Sequence, residues 1–371
     1  MKKILITAYS LELGGIEKSL INLINNLKDD YKITLVLEKK TGVFLNEVPE
    51  EVDIIEYKIA QDKNVFVRKI KNFINFNRFR KKYKKQFDIG ISYTTYSAPG
   101  SKLARKLSKK SILWIHGDYS KVYEENKSEM RHFYNMIKVK DFDKIVFVSK
   151  ESLRNQEKLF PEFFKNKSYV CNNFINDKEI LEKANEDIKD EKELKKFLGR
   201  KKLSKKEKVL INVSRHSEEE KKITRIINAV KKITDEGKVI KVILIGDGPD
   251  NQKYKNLVRD YKLEDYIYFT GQQKNPYPYF KMADASILSS LYEGYPVVFL
   301  ESMVLNLPII TTKVSEYKDI ENKYGICVEN SEYGVYEGIK YFIENDLKTQ
   351  KFNSEEFNKK IKNKIIEILE K

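Results

Sequence analysis

Two α/β domains in tandem, each a Rossmann-like parallel sheet with helices on both faces, are the fold this 371-residue chain predicts. Three observations predict it. The length exceeds what one ordinary core organises, since domains run to about 150–200 residues. Short apolar runs alternate with stretches of helical periodicity, and such alternation builds parallel sheets. The alternation then stops for some thirty residues dominated by Lys, Glu and Asp, and starts again.

In order, Lys2-Lys3-Ile4-Leu5-Ile6-Thr7-Ala8 reads as a short buried strand. A loop with Gly14-Gly15 follows, then a helix with Ile16, Leu20, Leu23, Ile24 and Leu27 at helical spacing. Further strands are expected at Ile33–Leu37, Asp88–Tyr93, Ser111–Ile115 and Lys144–Val148. The charged stretch has only Leu181, Leu194, Phe197 and Leu198 as anchors, and reads as a linker with exposed helical segments. The second series of strands is expected at Val209–Val213, Val239–Ile245, Ile267–Thr270, Ala285–Leu288 and Pro308–Thr311. The expected organisation is a domain over 1–175, a linker over 176–205 and a second domain over 206–354. The closing segment, 355–371, carries Phe357, Ile361, Ile365, Ile366 and Leu369 on one face of an amphipathic helix. In open parallel sheets ligands sit beyond the carboxyl ends of the strands, so two such sheets facing each other would make a cleft.

Composition narrows the class. Cys171 and Cys327 are the only cysteines, too few for a disulfide framework, which favours a reducing compartment such as the cytosol. No apolar run approaches the ~18–20 residues of a membrane span, and no signal peptide is expected after Met1. The net charge is +16, and residues 1–175 hold 34 Lys and Arg against 21 Asp and Glu. An anionic partner would therefore meet the front half.

The candidate chemistry lies just after expected strands. Ser214-Arg215-His216-Ser217, with Lys221-Lys222 beyond, places an Arg and a Lys where they can clamp a diphosphate from two sides. Alone, these residues fit a solvated, charged helix start better. Gly246-Asp247-Gly248-Pro249 lacks the third glycine of a dinucleotide fingerprint, and a structural turn accounts for it as well. Glu293 and Glu301 bracket a Gly294-Tyr295-Pro296 turn and the apolar run Val297-Val298-Phe299-Leu300. Glu293 is expected on a loop and Glu301 about two turns later, near a buried face where a carboxylate needs partners. The plainer account is two helix-end carboxylates, one capping and one solvated, and the apolar run argues against it for Glu301. Gly14-Gly15-Ile16-Glu17 opens a helix after a strand but is not a P-loop, because no Gly precedes Lys18. His116 ends a strand in Trp114-Ile115-His116-Gly117-Asp118, and a lone His is more often structural than catalytic. Asp141-Phe142-Asp143 precedes a strand and reads as structural, and no His/Cys cluster has metal-ligand spacing.

Lys63–Lys85 holds ten Lys and Arg among Val65, Phe66, Val67, Ile70, Phe73, Ile74, Phe76, Phe79 and Tyr83. That mixture suits an amphipathic helix on an anionic bilayer, with nucleic acid as the competing partner. An ordinary packed helix with a cationic outer face fits equally.

Taken together the chain resembles the family 4 glycosyltransferases of GT-B fold. The residues that carry the resemblance are Tyr279 to Asp284 on to Ser290, Glu293 to Glu301 with Ser302-Met303, and Pro308. Gly14 to Glu17, Ser149 and Asn172-Asn173 match weaker landmarks. The resemblance implies retaining, metal-independent transfer of a sugar from a nucleotide-sugar, most simply a UDP-sugar, to a cell-surface polysaccharide, teichoic-acid-like or lipid-linked acceptor. It implies Glu301 on the ribose hydroxyls, Glu293 facing the sugar, and Arg215 and Lys221 on the diphosphate. Lys222 competes with Lys221, because six positions separate Arg215 from Lys221 where the family usually has five. Backbone groups of Gly294, Tyr295 and Pro296 would position the donor, with Gly15 near the phosphates and His116 near the sugar. The closing helix would cross back onto the first domain. The implied setting is the cytoplasmic face of the cell membrane, with an anionic membrane surface as partner of Lys63–Lys85 and no nucleic acid. An epimerase acting on the same donor and a non-catalytic membrane or nucleic-acid binder are the competing functions.

Overall fold

The apolar runs become the strands of two wholly parallel sheets. The computed structural model describes residues 1–84, 86–199 and 207–370. The chain divides into a first unit, Met1–Phe174 joined by the segment from Glu355, and a second, Ile175–Ser354. In the first unit β1 (Lys3–Ala8), β2 (Lys32–Leu37), β3 (Asp53–Glu56), β4 (Phe87–Ser92), β5 (Ser108–Ile115), β6 (Lys144–Phe147) and β7 (Ser168–Val170) lie in the order β3-β2-β1-β4-β5-β6-β7. In the second, β8 (Lys208–Val213), β9 (Ile240–Ile245), β10 (Ile267–Gly271), β11 (Ala285–Leu288), β12 (Ile309–Thr312) and β13 (Gly325–Val328) lie in the order β10-β9-β8-β11-β12-β13. Each order reverses beside its first strand, between β1 and β4 and between β8 and β11. The crevice at the carboxyl end of such a switch point is where this architecture binds ligands.

The strands read from the sequence lie where expected, and three more were not read. These are β3, β7 and β13, each at a sheet edge. Most of their residues are half-exposed, so they carry no long apolar run.

The charged stretch differs from the linker expected of it. Its helices, Asp177–Lys183 and Glu191–Leu198, belong to the second unit. Leu194 and Leu198 are fully buried against Val209, Ile211, Ile243, Ile245, Tyr279 and Phe280. Asp190 accepts hydrogen bonds from Tyr268 at 2.8 Å and Tyr279 at 2.5 Å. Two leucines four apart, with the half-buried Phe197 beside them, suffice to dock so short a helix, and the remaining positions stay charged. The rest of the expected linker, 200–205, lies outside the described residues.

The closing helix, Ser354–Glu370, buries Ile361, Ile365, Ile368 and Leu369. Tyr31 donates to Glu370 at 3.0 Å, and the Lys144 ammonium donates to the Ile368 carbonyl. The helix Val65–Tyr83 buries Phe76, packs Phe79 and Tyr83 beside Tyr57, and leaves its first ten residues largely exposed. Among the described residues no helix is long and apolar enough to cross a membrane.

Candidate active site

The second unit's site is built at the carboxyl ends of β8 and β11, the two strands flanking its switch point. Asn212, near the end of β8, donates to the Ile287 carbonyl of β11 at 2.8 Å and accepts from Ser214 at 2.7 Å. The chain then crosses Gly246, whose φ of +139 suits only glycine and where an added Cβ would lie 1.9 Å from the Ser214 carbonyl oxygen. His216 N–H donates to the Asp247 carbonyl at 2.9 Å, which fixes the backbone around Arg215. The glycine turn is therefore a structural buttress to this segment.

Lys221 is the centre of the site. Its Nζ lies 2.6 Å from Glu293 Oε1 and 2.8 Å from Glu220 Oε1. The Lys221 and Glu293 side chains are 14% and 10% exposed, so this is a buried pair rather than a surface one. Burial disfavours the Lys221 charge, but Glu293 and Glu220 outweigh it and hold the ammonium above its ordinary range. Ser290 donates to the same Glu293 oxygen at 2.7 Å. Ser289 donates to the carbonyls of Lys221 and Lys222, Leu291 N–H to that of Glu220, and Thr312 to that of Ser290. These bonds stitch the segment after β8 to the segment after β11 and preorganise the pair.

Arg215 joins through Glu220, its NH2 lying 3.3 Å from Oε2, with the guanidinium side chain 66% exposed. Lys222 stands apart, its backbone left-handed at φ +50 before the helix Ile223–Asp235. Of the two lysines, it is Lys221 that meets Glu293.

Gly294, Tyr295 and Pro296 are buried and lead into the helix Val297–Val304. Because that helix starts only at Val297, Glu301 sits just over one turn in, not the expected two, and the intervening residues are loop. Glu301 is half-buried and accepts from Tyr277 at 3.1 Å.

Gly15 and His116 lie in the first unit, at the carboxyl ends of its strands. Gly15 opens the helix Gly15–Leu27 after β1, and Gly14 before it is fully extended. His116 follows β5. Its ring lies 4.4 Å from that of Tyr93, and Tyr93 Oη is 2.8 Å from Ser19 on the Gly15 helix. Burial pushes the imidazole down to about 3, against a hydrogen bond to the Tyr93 backbone, so it is neutral at physiological pH. Its Nε2 is buried without a hydrogen-bond partner. Ser152 and Gln156 donate to the Gly117 carbonyl and Asn155 to Asp118, holding the loop after His116. Of the Asp-x-Asp segment, Asp141 pairs with Arg105 and Asp143 accepts from Ser111, both structural contacts. Among the described residues no group of three or more His, Cys, Asp or Glu could hold a metal ion.

Reading by sequence missed Glu220, Ser289, Ser290, Tyr277 and Tyr93. Ser289, Ser290 and Tyr93 immediately follow a strand end, which could have marked them. Glu220 and Tyr277 carry no such signal.

Residues 195–362 match the family model described as glycosyl transferases group 1. An uncharacterised glycosyltransferase of Methanocaldococcus jannaschii is 29% identical over 209 residues, 55% of this chain and 48% of that one. The N-acetyl-alpha-D-glucosaminyl L-malate synthase of Bacillus anthracis is 31% identical, over 41% of this chain and 42% of its own. The chain thus spans about half the length of these two relatives. A Campylobacter jejuni N-acetylgalactosamine-N,N'-diacetylbacillosaminyl-diphospho-undecaprenol 4-alpha-N-acetylgalactosaminyltransferase is 22% identical over 93% of this chain and 91% of its own. Among solved structures, Anabaena HepE with UDP and glucose superimposes with a TM-score of 0.75 at 17% identity, covering 98% of this chain and 99% of that one. The fold is GT-B, two Rossmann-like units in one chain. Residues 195–362, which match that family model, take in most of the second unit.

Proposed function

We propose that the protein is a retaining glycosyltransferase that moves a sugar from a nucleotide-sugar, most simply a UDP-sugar, to a glycan or lipid-linked acceptor of the cell envelope. The observation that carries this reading is the buried Lys221–Glu293 pair, seated with Arg215 at the switch point of the second sheet. A cationic pair beside a carboxylate suits a substrate that offers both phosphates and hydroxyls. The Anabaena neighbour was crystallised in complex with UDP and glucose, and the Campylobacter relative's name includes a diphospho-undecaprenol, which supports the choice of donor and acceptor class.

In this reading Arg215 and Lys221 hold the diphosphate and stabilise its charge as it leaves. Glu301 takes the ribose hydroxyls, and Glu293, oriented by Ser290 and Lys221, faces the sugar. Backbone groups of Gly294, Tyr295 and Pro296 set the donor's position. Gly15 approaches the phosphates, and the neutral His116 offers the sugar a hydrogen bond rather than a proton. The acceptor hydroxyl attacks the anomeric carbon on the face the phosphate leaves. The bond to the phosphate oxygen breaks, and that oxygen takes the hydroxyl proton. No protein nucleophile or metal is needed, and the nucleotide-sugar is substrate, not cofactor. In this reading the enzyme works at the cytoplasmic face of an anionic membrane, near a lipid-linked acceptor, and the first unit's basic charge supports that setting.

The test is nucleotide release and product formation from UDP-, GDP-, ADP- and dTDP-sugars with EDTA present. Turnover is expected to survive EDTA, to retain the anomeric configuration, and to fall at least about a hundredfold in Glu293→Ala and in Arg215→Ala. Full activity in both variants, or an epimerised sugar in a donor-only incubation, would overturn the reading.

A further inference from the structure

The helix Val65–Tyr83 has two apolar faces, not one. At roughly 100° per residue, Asn72, Phe76, Phe79 and Tyr83 share the side turned to the domain. Phe76 is buried there, Phe79 and Tyr83 pack beside Tyr57, and Asn72 accepts from the Ala60 N–H at 2.8 Å. Phe66, Ile70, Phe73 and Ile74 share the opposite side. They are 72%, 44%, 64% and 41% exposed, and Val65 and Val67 extend the patch at the helix start. A single amphipathic helix packed on a core would turn these outer positions polar. Here they form an apolar ridge over the first ten residues, and on the following two turns Arg78, Arg80, Lys81 and Lys82 replace it. Arg68, Lys69 and Lys71 flank the ridge, and the helix contains no acidic residue.

We propose that this outward face is a bilayer-insertion surface, with Phe66, Ile70, Phe73 and Ile74 entering the lipid and the basic residues resting on anionic headgroups. The inference deepens the membrane-surface reading given above and rests on it. The domain-facing contacts of Phe76 and Phe79 hold the helix as a rigid bar, so the ridge is presented already folded. Its charge decides the occupant. A second copy of this chain would bring two helices of seven cations and no anions together. A nucleic acid would satisfy the cations but press phosphates against the phenylalanine and isoleucine side chains. An anionic bilayer satisfies both features, because its headgroups are negative and the layer below them is apolar. Attachment by insertion also differs from electrostatic adsorption in one measurable respect. Salt weakens the headgroup contacts and leaves the buried apolar contacts in place.

The test uses the full-length protein. Trp114 is the chain's one tryptophan and is buried in β5, so the signal of Phe73→Trp at the ridge is read as its difference from the wild type, whose core emission lipid should leave unchanged. With phosphatidylcholine vesicles containing about 30% phosphatidylglycerol, the added tryptophan should shift to the blue and be quenched by lipids brominated on the acyl chain. Pure phosphatidylcholine should give much less. The double variant Phe66→Ser with Phe73→Ser should lose about tenfold or more in vesicle affinity, most clearly in high salt. It should keep its melting temperature and its turnover of a soluble acceptor. Sedimentation with vesicles while the added tryptophan stays silent would overturn this surface and leave the membrane reading standing. Absence of sedimentation with either vesicle would overturn both membrane statements, with sugar transfer to soluble acceptors unaffected. A blue shift that grows with protein concentration in the absence of lipid would assign the ridge to a second copy. Quenching by an oligonucleotide would assign it to nucleic acid, and either result overturns the proposal.

Discussion

At the scale of single residues, Lys221 and Glu293 hold the site together, and their burial gives the pair its energetic weight. Breaking a buried ion pair by removing one partner costs up to about 3–5 kcal/mol, and less in Glu293→Ala, where Glu220 still faces Lys221 at 2.8 Å. Glu293→Ala and Lys221→Ala should each lower the thermal midpoint. The double variant should cost much less than the two together, because it leaves no orphaned charge. Additive losses in a double-mutant cycle would deny the coupling. Glu220 has the opposite effect. It occupies both cations, Lys221 at 2.8 Å and Arg215 at 3.3 Å, and is itself partly exposed. A diphosphate must displace it, so Glu220→Gln should bind inorganic pyrophosphate several-fold more tightly than the wild type by calorimetry. Glu219→Gln removes the same charge from an exposed neighbour, and an equal gain there would reduce the effect to net charge. Arg215, Lys221 and Glu293 were legible because each follows a strand whose apolar run is plain in the sequence. Glu220 and Tyr277 were not, because a carboxylate in an acidic stretch and a tyrosine among tyrosines reveal a role only once the fold supplies their partners.

At the scale of elements, the switch point explains why residues more than seventy positions apart act together. Arg215 and Lys221 follow β8, Glu293 follows β11, and these strands are neighbours. Gly246 supports that arrangement from the end of β9. Gly246→Ala would place a Cβ 1.9 Å from the Ser214 oxygen at a backbone angle that L-residues rarely adopt, so the strand end must move. It should destabilise the protein by about 1–3 kcal/mol and weaken nucleotide binding through the displaced Arg215. Unchanged binding would mean that Arg215 does not depend on this turn. The interior strands were legible from continuous apolar runs, whereas β3, β7 and β13 were not. An edge strand is covered on fewer sides, and its mixed composition looks like a loop. The charged helix Glu191–Leu198 was misjudged for a similar reason, since Leu194, Leu198 and Phe197 carried the whole docking signal among charged neighbours. At the end of β5, His116 links an element to pH. It titrates near 3 in the fold against an ordinary value of 6.5, so the unfolded chain binds the extra proton between those limits. The stability it contributes is complete above about pH 6.5 and is lost as pH falls toward 3. In thermal melts from pH 7 to pH 5, His116→Asn should show a shallower decline than the wild type, and parallel curves would deny the buried neutral imidazole.

At the scale of the molecule, the chain leaves its first unit at Phe174, builds the second, and returns at Glu355. The first unit is therefore discontinuous in sequence, and the periodicity of the closing helix alone could not show which unit it completes. Its place is set by what it buries. Ile361, Ile365, Ile368 and Leu369 are all nearly inaccessible, and at about 1.5–3 kcal/mol for each buried side chain their loss amounts to several kcal/mol. The two cysteines report on the two units separately. Cys171 lies against the Ile361 carbonyl at 4.0 Å, and burial pushes its thiol up to about 12. Cys327 donates to the Tyr317 carbonyl at 3.3 Å, and burial likewise pushes it up to about 12. Both thiols should resist aromatic disulfide reagents at neutral pH, because the reactive thiolate is scarce and shielded. Ending the chain at Ser354 should make Cys171 react at least about tenfold faster, because its covering helix is gone and the first unit opens more readily. Cys327 in the same variant should stay as protected as in the wild type, since no residue of its unit has been removed. Equal acceleration of both thiols would mean that the closing helix supports the whole chain rather than the first unit, and no change in Cys171 would mean that the helix contributes little to the fold it covers.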